Sequence, residues 1–138
     1  MPVFWRKKKK APGILCSAVV VAAGSSTRMG TDKLMLTLGG IPVIVRTLKA
    51  VEAAPSVDEI ILVTREDMMV PLSQLCQEFA LTKVTKVIRG GKTRTESVRL
   101  GTLEASGDAQ VIAIHDGARP LVTTEIIENA IAQALESG

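Results

Sequence analysis

Aromatic residues are close to absent from this chain: its 138 residues include no tyrosine, one tryptophan and two phenylalanines, 2% in all. Stacking on nucleic-acid bases therefore lacks the side chains it needs. Cysteine is almost as scarce. Cys16 and Cys76 are the only two and share no CxxC spacing, so neither metal nor redox spacing is present, and both read as buried thiols in a reducing compartment. No apolar run approaches the ~20 residues that a membrane-spanning helix requires. Two well-known phosphate-loop spacings are missing as well. GxxxxGK[ST] would require glycine at 29 and lysine at 30, where Met29 and Gly30 stand, and GxGxxG fails at Ser26.

Positive charge is present but unevenly placed. The formal net charge is +3 with a pI near 9.1, yet Arg6 and the four lysines after it put five of the 17 cations in the first ten residues. The remainder carries 12 basic and 14 acidic groups, so the domain has no bulk basic surface and no nucleic-acid partner is expected. Residues 1–12 read as a basic, disordered tail outside the fold, with an RNA, anionic-lipid or targeting role as the alternative. The tail followed by residues 13–24 has the outline of a signal peptide. Cleavage there would delete the first strand and the loop after it, so the expectation is a cytoplasmic protein without a membrane span.

What the chain does contain is valine, isoleucine, leucine and alanine. A 46% hydrophobic fraction so poor in aromatics implies the core of an α/β protein with parallel strands. One domain is expected over residues 13–138, enough to bury ~70% of its unfolded surface. Continuous apolar runs predict buried strands at 18–21, 58–64 and 110–114, and an alternating run at 83–88 predicts a strand nearer the sheet edge. A helix is expected from Pro42 as its first residue, with Ile44, Thr47, Leu48 and Val51 as its apolar stripe, and Pro55 ends it. A second runs through 70–80 with Leu72, Leu75, Cys76 and Phe79 on one face. Thr93 and Glu96 form an S/T-x-x-E capping box opening a third, and Thr123 or Thr124 caps a fourth. Strand and helix alternate four times. Right-handed crossovers then give a three-layer, mostly parallel, Rossmann-like α/β sheet. Loops 22–33, 89–93 and 115–120 all follow strands, share one edge and can line a single site.

Two of these loops suit anions. Ala22, Ala23 and Gly24 leave room for close backbone approach, so that successive N–H groups can point at anionic oxygens, and Arg28 and Lys33 supply charge nearby. From spacing alone, phosphate binding and a polar turn with solvated cations both remain open. Gly90 and Gly91 precede a capped helix start, a concave patch of free N–H groups suited to an anion or the edge of a base.

Three motifs taken together narrow the choice: residues 22–30 (AAGSSTRMG) with Lys33, residues 90–98 (GGKTRTESV), and residues 115–120 (HDGARP). From about Ser17 onward the chain resembles the 2-C-methyl-D-erythritol 4-phosphate cytidylyltransferases of the non-mevalonate isoprenoid pathway. The first motif alone marks the wider nucleotidyltransferase superfamily, whose fold is of the nucleotide-diphospho-sugar transferase type. The resemblance implies transfer of a cytidylyl group from CTP to a polyol phosphate with release of pyrophosphate, and Mg²⁺ as cofactor. It implies that Ala22, Ala23, Gly24 and Ser25 hold the nucleotide, and that Arg28 and Lys33 are catalytic, stabilising charge on the pentacoordinate α-phosphorus. Gly90 and Gly91 would lie against the cytosine, with Ser97 offering a polar contact. Asp116 would stand near Mg²⁺ and the polyol, and Arg119 would be a phosphate-side or sugar-side cation.

The chemistry suits those residue types, since attack of one phosphate on another needs charge neutralisation and in-line positioning rather than covalent participation. No general base is demanded, so His115 is expected to hydrogen-bond at a strand end rather than shuttle protons. Against the functional roles stand a structural Asp116–Arg119 ion pair and ordinary helix surface for Ser97. A ribitol 5-phosphate cytidylyltransferase and a non-catalytic CTP-binding fragment are the alternative functions. The chain departs from the family pattern at Ser26, where glycine is common, and at Asp32-Lys33-Leu34, where Pro-Lys-Gln is common. Members of the family also continue into a second half with further acceptor-binding residues and an arm used for homodimerisation. The chain as given is therefore expected to explain CTP binding better than turnover.

Overall fold

The computed structural model describes residues 3–6, 15–23 and 33–137. Their centre is a five-stranded sheet in the order β1 (Val3–Arg6), β7 (Val111–Asp116), β2 (Cys16–Ala22), β5 (Val57–Thr64), β6 (Val84–Arg89). β7, β2, β5 and β6 are parallel. The three central strands are buried almost throughout, as their unbroken apolar runs require. β6 lies at the sheet edge, as expected, and mixes half-buried Val84, Val87 and Ile88 with exposed Thr85, Lys86 and Arg89 without strict alternation.

Helices α1 (Val43–Glu52), α2 (Met69–Glu78) and α4 (Thr124–Ser137) cover one face. Their Ile44, Leu48, Leu72, Ile127 and Ile131 pack with Ala18, Val20, Ile60 and Leu62 from the strands. α3 (Arg94–Glu104) covers the other, over Val19, Val21, Ile61, Val63, Ile112 and Ile114. Successive strand residues thus feed opposite cores, the geometric consequence of a period of two. Full burial of each such leucine or isoleucine contributes about 1.5–3 kcal/mol. Because α3 alone crosses the opposite face, the chain steps outward from β2 through β5 to β6 and then returns to lay β7 on the other side of β2. That reversal creates a crevice at the carboxyl ends of β2 and β7.

Local expectations mostly match. Thr93 caps α3, its Oγ1 accepting the Glu96 N–H at 3.1 Å. Between the two candidates for α4, Thr123 is the cap, accepting from the Ile126 N–H at 3.2 Å. The Thr124 hydroxyl instead donates to the Ala50 carbonyl at 2.9 Å and ties α4 to the end of α1. Both cysteines are buried.

Three differences follow from contacts the sequence does not display. Val3–Arg6, assigned above to the disordered tail, pairs antiparallel with β7, Val3 opposite Ile114 and Arg6 opposite Val111. A β-prone Val-Phe-Trp run covers what would otherwise be the open edge of an apolar strand. Residues 37–42 form a small hairpin of β3 (Thr37–Leu38) and β4 (Ile41–Pro42), turned by Gly39 and Gly40 at φ of +65° and +83°. Two successive positive φ angles are the signature of a type I′ turn, which glycine meets without strain. Pro42 accordingly precedes the helix as its cap residue rather than opening it. Finally, carboxylates hold the sheet's entry loops: Asp58 accepts the Leu15 and Cys16 N–H groups, and Glu59 accepts the Ser17 hydroxyl and the Ser106 N–H.

Candidate functional site

The register sets which loops meet. Val21 stands beside Asp116 across β2 and β7, and Ala22 stands beside Thr64, which in turn neighbours Arg89 on β6. Just past these pairs, a cavity of about 210 Å³ opens among Val21, Ala23, Gly91, Arg94, Ser97 and Asp116, with Lys92 and Thr93 on its wall. Three separate loop regions named in the sequence thus contribute to one crevice.

Its floor is close-packed because it is glycine. A Cβ at Gly90 would lie 2.6 Å from the Ala23 Cβ and 2.6 Å from the Ser97 Oγ, so no other residue lets the backbone come this near. The Gly90 N–H continues the sheet ladder onto the Thr64 carbonyl at 2.8 Å. Gly91 donates its N–H to the Ser97 Oγ at 3.0 Å. Ser97 is 1% exposed, which removes the reading of ordinary helix surface. Its oxygen accepts from Gly91, and among the described residues its own proton has no acceptor.

Asp116 is exposed at the end of β7, and its Oδ1 accepts the Ala118 N–H at 3.0 Å, which leaves its other oxygen uncommitted among the described residues. No ion pair joins it to Arg119. The structural-pair alternative therefore does not hold. Nor does Arg119 reach the cavity that Asp116 lines; it lies on a second, more apolar cavity of about 450 Å³ with His115, Leu121, Val122 and Ile126. His115 meets expectation only in part. It is 4% exposed, and among the described residues neither ring nitrogen makes a hydrogen bond of good geometry, although the Arg119 backbone lies close enough to favour the protonated ring. Burial holds its pKa below the usual 6.5, with Asp116 offsetting only part of that, so the imidazole is neutral at pH 7. Residues 118–122 line the cavity beside it.

Gly24, Ser25 and Arg28 lie outside the described residues. Lys33 opens a short 3-10 turn, Lys33–Met35, and only its backbone is described; the neighbouring Leu34 is buried in the core with Ile44 and Val45. Lys92 and Arg94 are site residues that the sequence alone does not single out, because beside the Thr93–Glu96 capping box they look like ordinary helix-start cations. Both line the cavity and neither forms an ion pair among the described residues. In the sequence they are marked only as two cations flanking the cap of a helix whose N-terminus already favours anions. Nearby Arg65 and Arg89 are instead engaged by Asp67 and Glu66, at 3.2 and 3.8 Å.

Among the described residues no three His, Cys, Asp or Glu side chains gather as a metal cluster. Mg²⁺ is nonetheless commonly held by one or two carboxylates, with waters and substrate phosphate oxygens completing its shell, so a cluster is not required. Asp116 fits that role. Both cysteine thiols stay protonated near neutral pH, since burial pushes Cys16 to about 12 and Cys76 to about 11.

Comparison with known proteins adds the following. The family model described as 2-C-methyl-D-erythritol 4-phosphate cytidylyltransferase matches residues 16–138. Proteins of that name from Clostridium botulinum (strain Loch Maree / Type A3) and Caldanaerobacter subterraneus subsp. tengcongensis are 40% and 42% identical over 124 and 125 residues. The matches cover 88% and 86% of this chain but 54% and 53% of theirs, so the chain spans about half the length of the curated relatives it matches. Among solved structures, a 4-diphosphocytidyl-2C-methyl-D-erythritol synthase from Anaerococcus prevotii superposes with a TM-score of 0.74 at 28% identity, over 86% of this chain and 50% of that one.

Proposed function

Since the chain belongs to the 2-C-methyl-D-erythritol 4-phosphate cytidylyltransferase family, we propose that it binds CTP in the crevice between β2, α3 and β7 and supplies the nucleotide half of a cytidylyl transfer to methylerythritol phosphate. The observation that carries this reading is the convergence of Gly90, Gly91, Ser97 and Asp116, from two distant loops, on the carboxyl end of β2. In the reaction an oxygen of the acceptor phosphate attacks the α-phosphorus of CTP. That P–O bond forms as the bond to the β-phosphate oxygen breaks, and pyrophosphate leaves with the electron pair. The attacking monoester is already anionic at neutral pH, so the chain has to neutralise charge and align the groups rather than remove a proton.

The residues divide that work by position. The Ala22–Ala23 end of β2, with Gly24 and Ser25 after it, receives the nucleotide. Gly90 and Gly91 offer the base a flat backbone surface, and the Ser97 hydroxyl offers a donor. Lys92 and Arg94 draw the triphosphate in, while Arg28 and Lys33 hold the charge that grows on the α-phosphoryl group. Asp116 would hold Mg²⁺, which neutralises phosphate charge when bound. Arg119, on the far side of the same turn, faces the acceptor side. The proposal places the protein in the cytoplasm, where buried thiols stay reduced, and extends to the homodimer implied for longer members of the family. Among the described residues no helix is long and apolar enough to cross a membrane.

Thermal denaturation with each nucleotide, followed by a pyrophosphate-release assay, tests the reading. CTP with Mg²⁺ should stabilise the fold more than ATP, GTP or UTP, by about 2.7 kcal/mol at a hundredfold excess over Kd. Methylerythritol phosphate should trigger pyrophosphate release where ribitol phosphate does not, and Lys33→Ala should abolish it. Release unchanged in Lys33→Ala overturns that residue's role. CTP binding without acceptor-dependent release favours a nucleotide-binding half that does not turn over alone.

A further inference from the structure

We propose that Thr47 is a positioning residue for the turn that carries Asp116 and Arg119, acting through one hydrogen bond from its hydroxyl to the Gly117 carbonyl. The inference rests on the nucleotide-site reading above and adds to it a residue with no contact to substrate. By sequence Thr47 is simply one member of the apolar stripe of α1, between Ile44 and Leu48. It is 0% exposed, and a hydroxyl so placed costs free energy unless it is bonded.

Two acceptors are in reach of its single proton. The Val43 carbonyl, one turn back in the helix, is 3.3 Å away; the Gly117 carbonyl, 70 residues distant in sequence, is 2.8 Å away. The shorter bond is the one that leaves the helix. Gly117 is held from its other side too, since its N–H donates to the Val21 carbonyl at 2.9 Å. Both backbone polar groups of this buried residue are thereby fixed, its N–H by β2 and its carbonyl by α1. A Cβ on Gly117 would come within 2.8 Å of Ile44 Cδ1 and 3.3 Å of the Ala22 Cβ, so the turn presses against α1 and β2 at the same point.

Asp116 and Arg119 flank this anchor. The Asp116 carboxylate takes the Ala118 N–H, and the Arg119 N–H donates to the Asp116 carbonyl at 3.2 Å, so the short turn moves as one piece. Freed at Gly117, it would shift Asp116 relative to Val21 and Arg119 relative to the apolar cavity. α1 itself follows the segment that begins at Lys33, with Leu34 and Ile44 in one core. Thr47 therefore links the helix behind the phosphate loop to the turn across the crevice.

The test compares Thr47→Val, which keeps the shape and removes the hydroxyl, with Thr47→Ser, which keeps the hydroxyl and removes the methyl. Amide hydrogen exchange of the full chain is read at residues 117–119 against reference amides in β5, alongside CTP affinity with and without Mg²⁺. Thr47→Val should accelerate exchange at 117–119 at least tenfold relative to β5 and weaken CTP binding severalfold only when Mg²⁺ is present. Thr47→Ser should restore both to within about threefold of the wild type. Exchange that rises equally in β5, or serine behaving like valine, overturns the proposal. Should the valine variant not fold, the wild type alone decides: the Thr47 hydroxyl proton must exchange slowly and show a nuclear Overhauser contact to Gly117 or Ala118, and a fast-exchanging proton overturns it. A wild type that fails to bind CTP counts against the nucleotide-site reading instead, whatever Thr47 does.

Discussion

Replacing Gly101 with alanine sets two effects of opposite sign against each other. In an exposed helix interior the change gains about 1 kcal/mol, because alanine has less backbone freedom to lose. Gly101 lies within α3 on the face turned to the sheet, and there an added Cβ would stand 2.5 Å from Val19 Cγ1 and 2.8 Å from Val63 Cγ2. Both valines are 0% exposed on central strands. Carbon atoms in contact prefer about 3.5–4.0 Å, so helix and sheet must separate by roughly 1 Å. Overpacking a core costs about 1–3 kcal/mol, and the upper half of that range applies because β-branched side chains have no spare rotamer. The net is a loss of about 1–2 kcal/mol. Urea unfolding should show it as a lower midpoint at unchanged slope. Gly107→Ala is the control: nothing lies within 4 Å of its Cβ position, so it should be neutral or gain up to about 1 kcal/mol. Ser97 sits one turn before Gly101 on the same buried face, so the shift should also lengthen its contact with Gly91 and weaken CTP binding. A Gly101→Ala chain as stable as the wild type, or more so, would refute the seating of α3 described above.

Acid should weaken the fold through His115. Its folded pKa lies below the ordinary 6.5, so the unfolded chain binds the extra proton; stability is complete above that value and falls as pH drops through it, and His115→Phe should flatten the dependence of melting temperature between about pH 5 and pH 7. The two thiols, pushed up to about 12 and about 11 by burial, should resist alkylation in the native protein near pH 8 and react together once denaturant unfolds it.

Much of the architecture was legible because it is written at short range. The β-branched runs of β2, β5 and β7 announce strands buried on two faces, and Thr93 with Glu96 announces the start of α3. The three loop motifs named the site's neighbourhood. Less was legible about the site itself. Ser97 was found by resemblance, but its bond to the Gly91 N–H depends on how closely α3 approaches the loop. Lys92 and Arg94 look like any solvated cations until the crevice forms beside them. Arg119, three residues from Asp116, looks like its partner in a row of letters and faces a different cavity in space. His115 sits at a strand end where a hydrogen bond is the usual finding, and among the described residues its ring has only the nearby Arg119 backbone, without good hydrogen-bond geometry.

By itself the sequence determined the alternation of strand and helix, the apolar faces that pack them and the chemical character of the loops, since periodicity, capping and turn chemistry act over a few residues. Only the tertiary structure decided that β7 lies beside β2, that Val3–Arg6 closes the outer edge, and that Thr47 spends its hydroxyl on Gly117. Those outcomes join groups as many as 111 positions apart, as Val3 and Ile114 are. Whether such groups meet depends on how the whole chain closes, and Gly90, Gly101 and Gly117 allow it to close where any side chain would hold the layers apart.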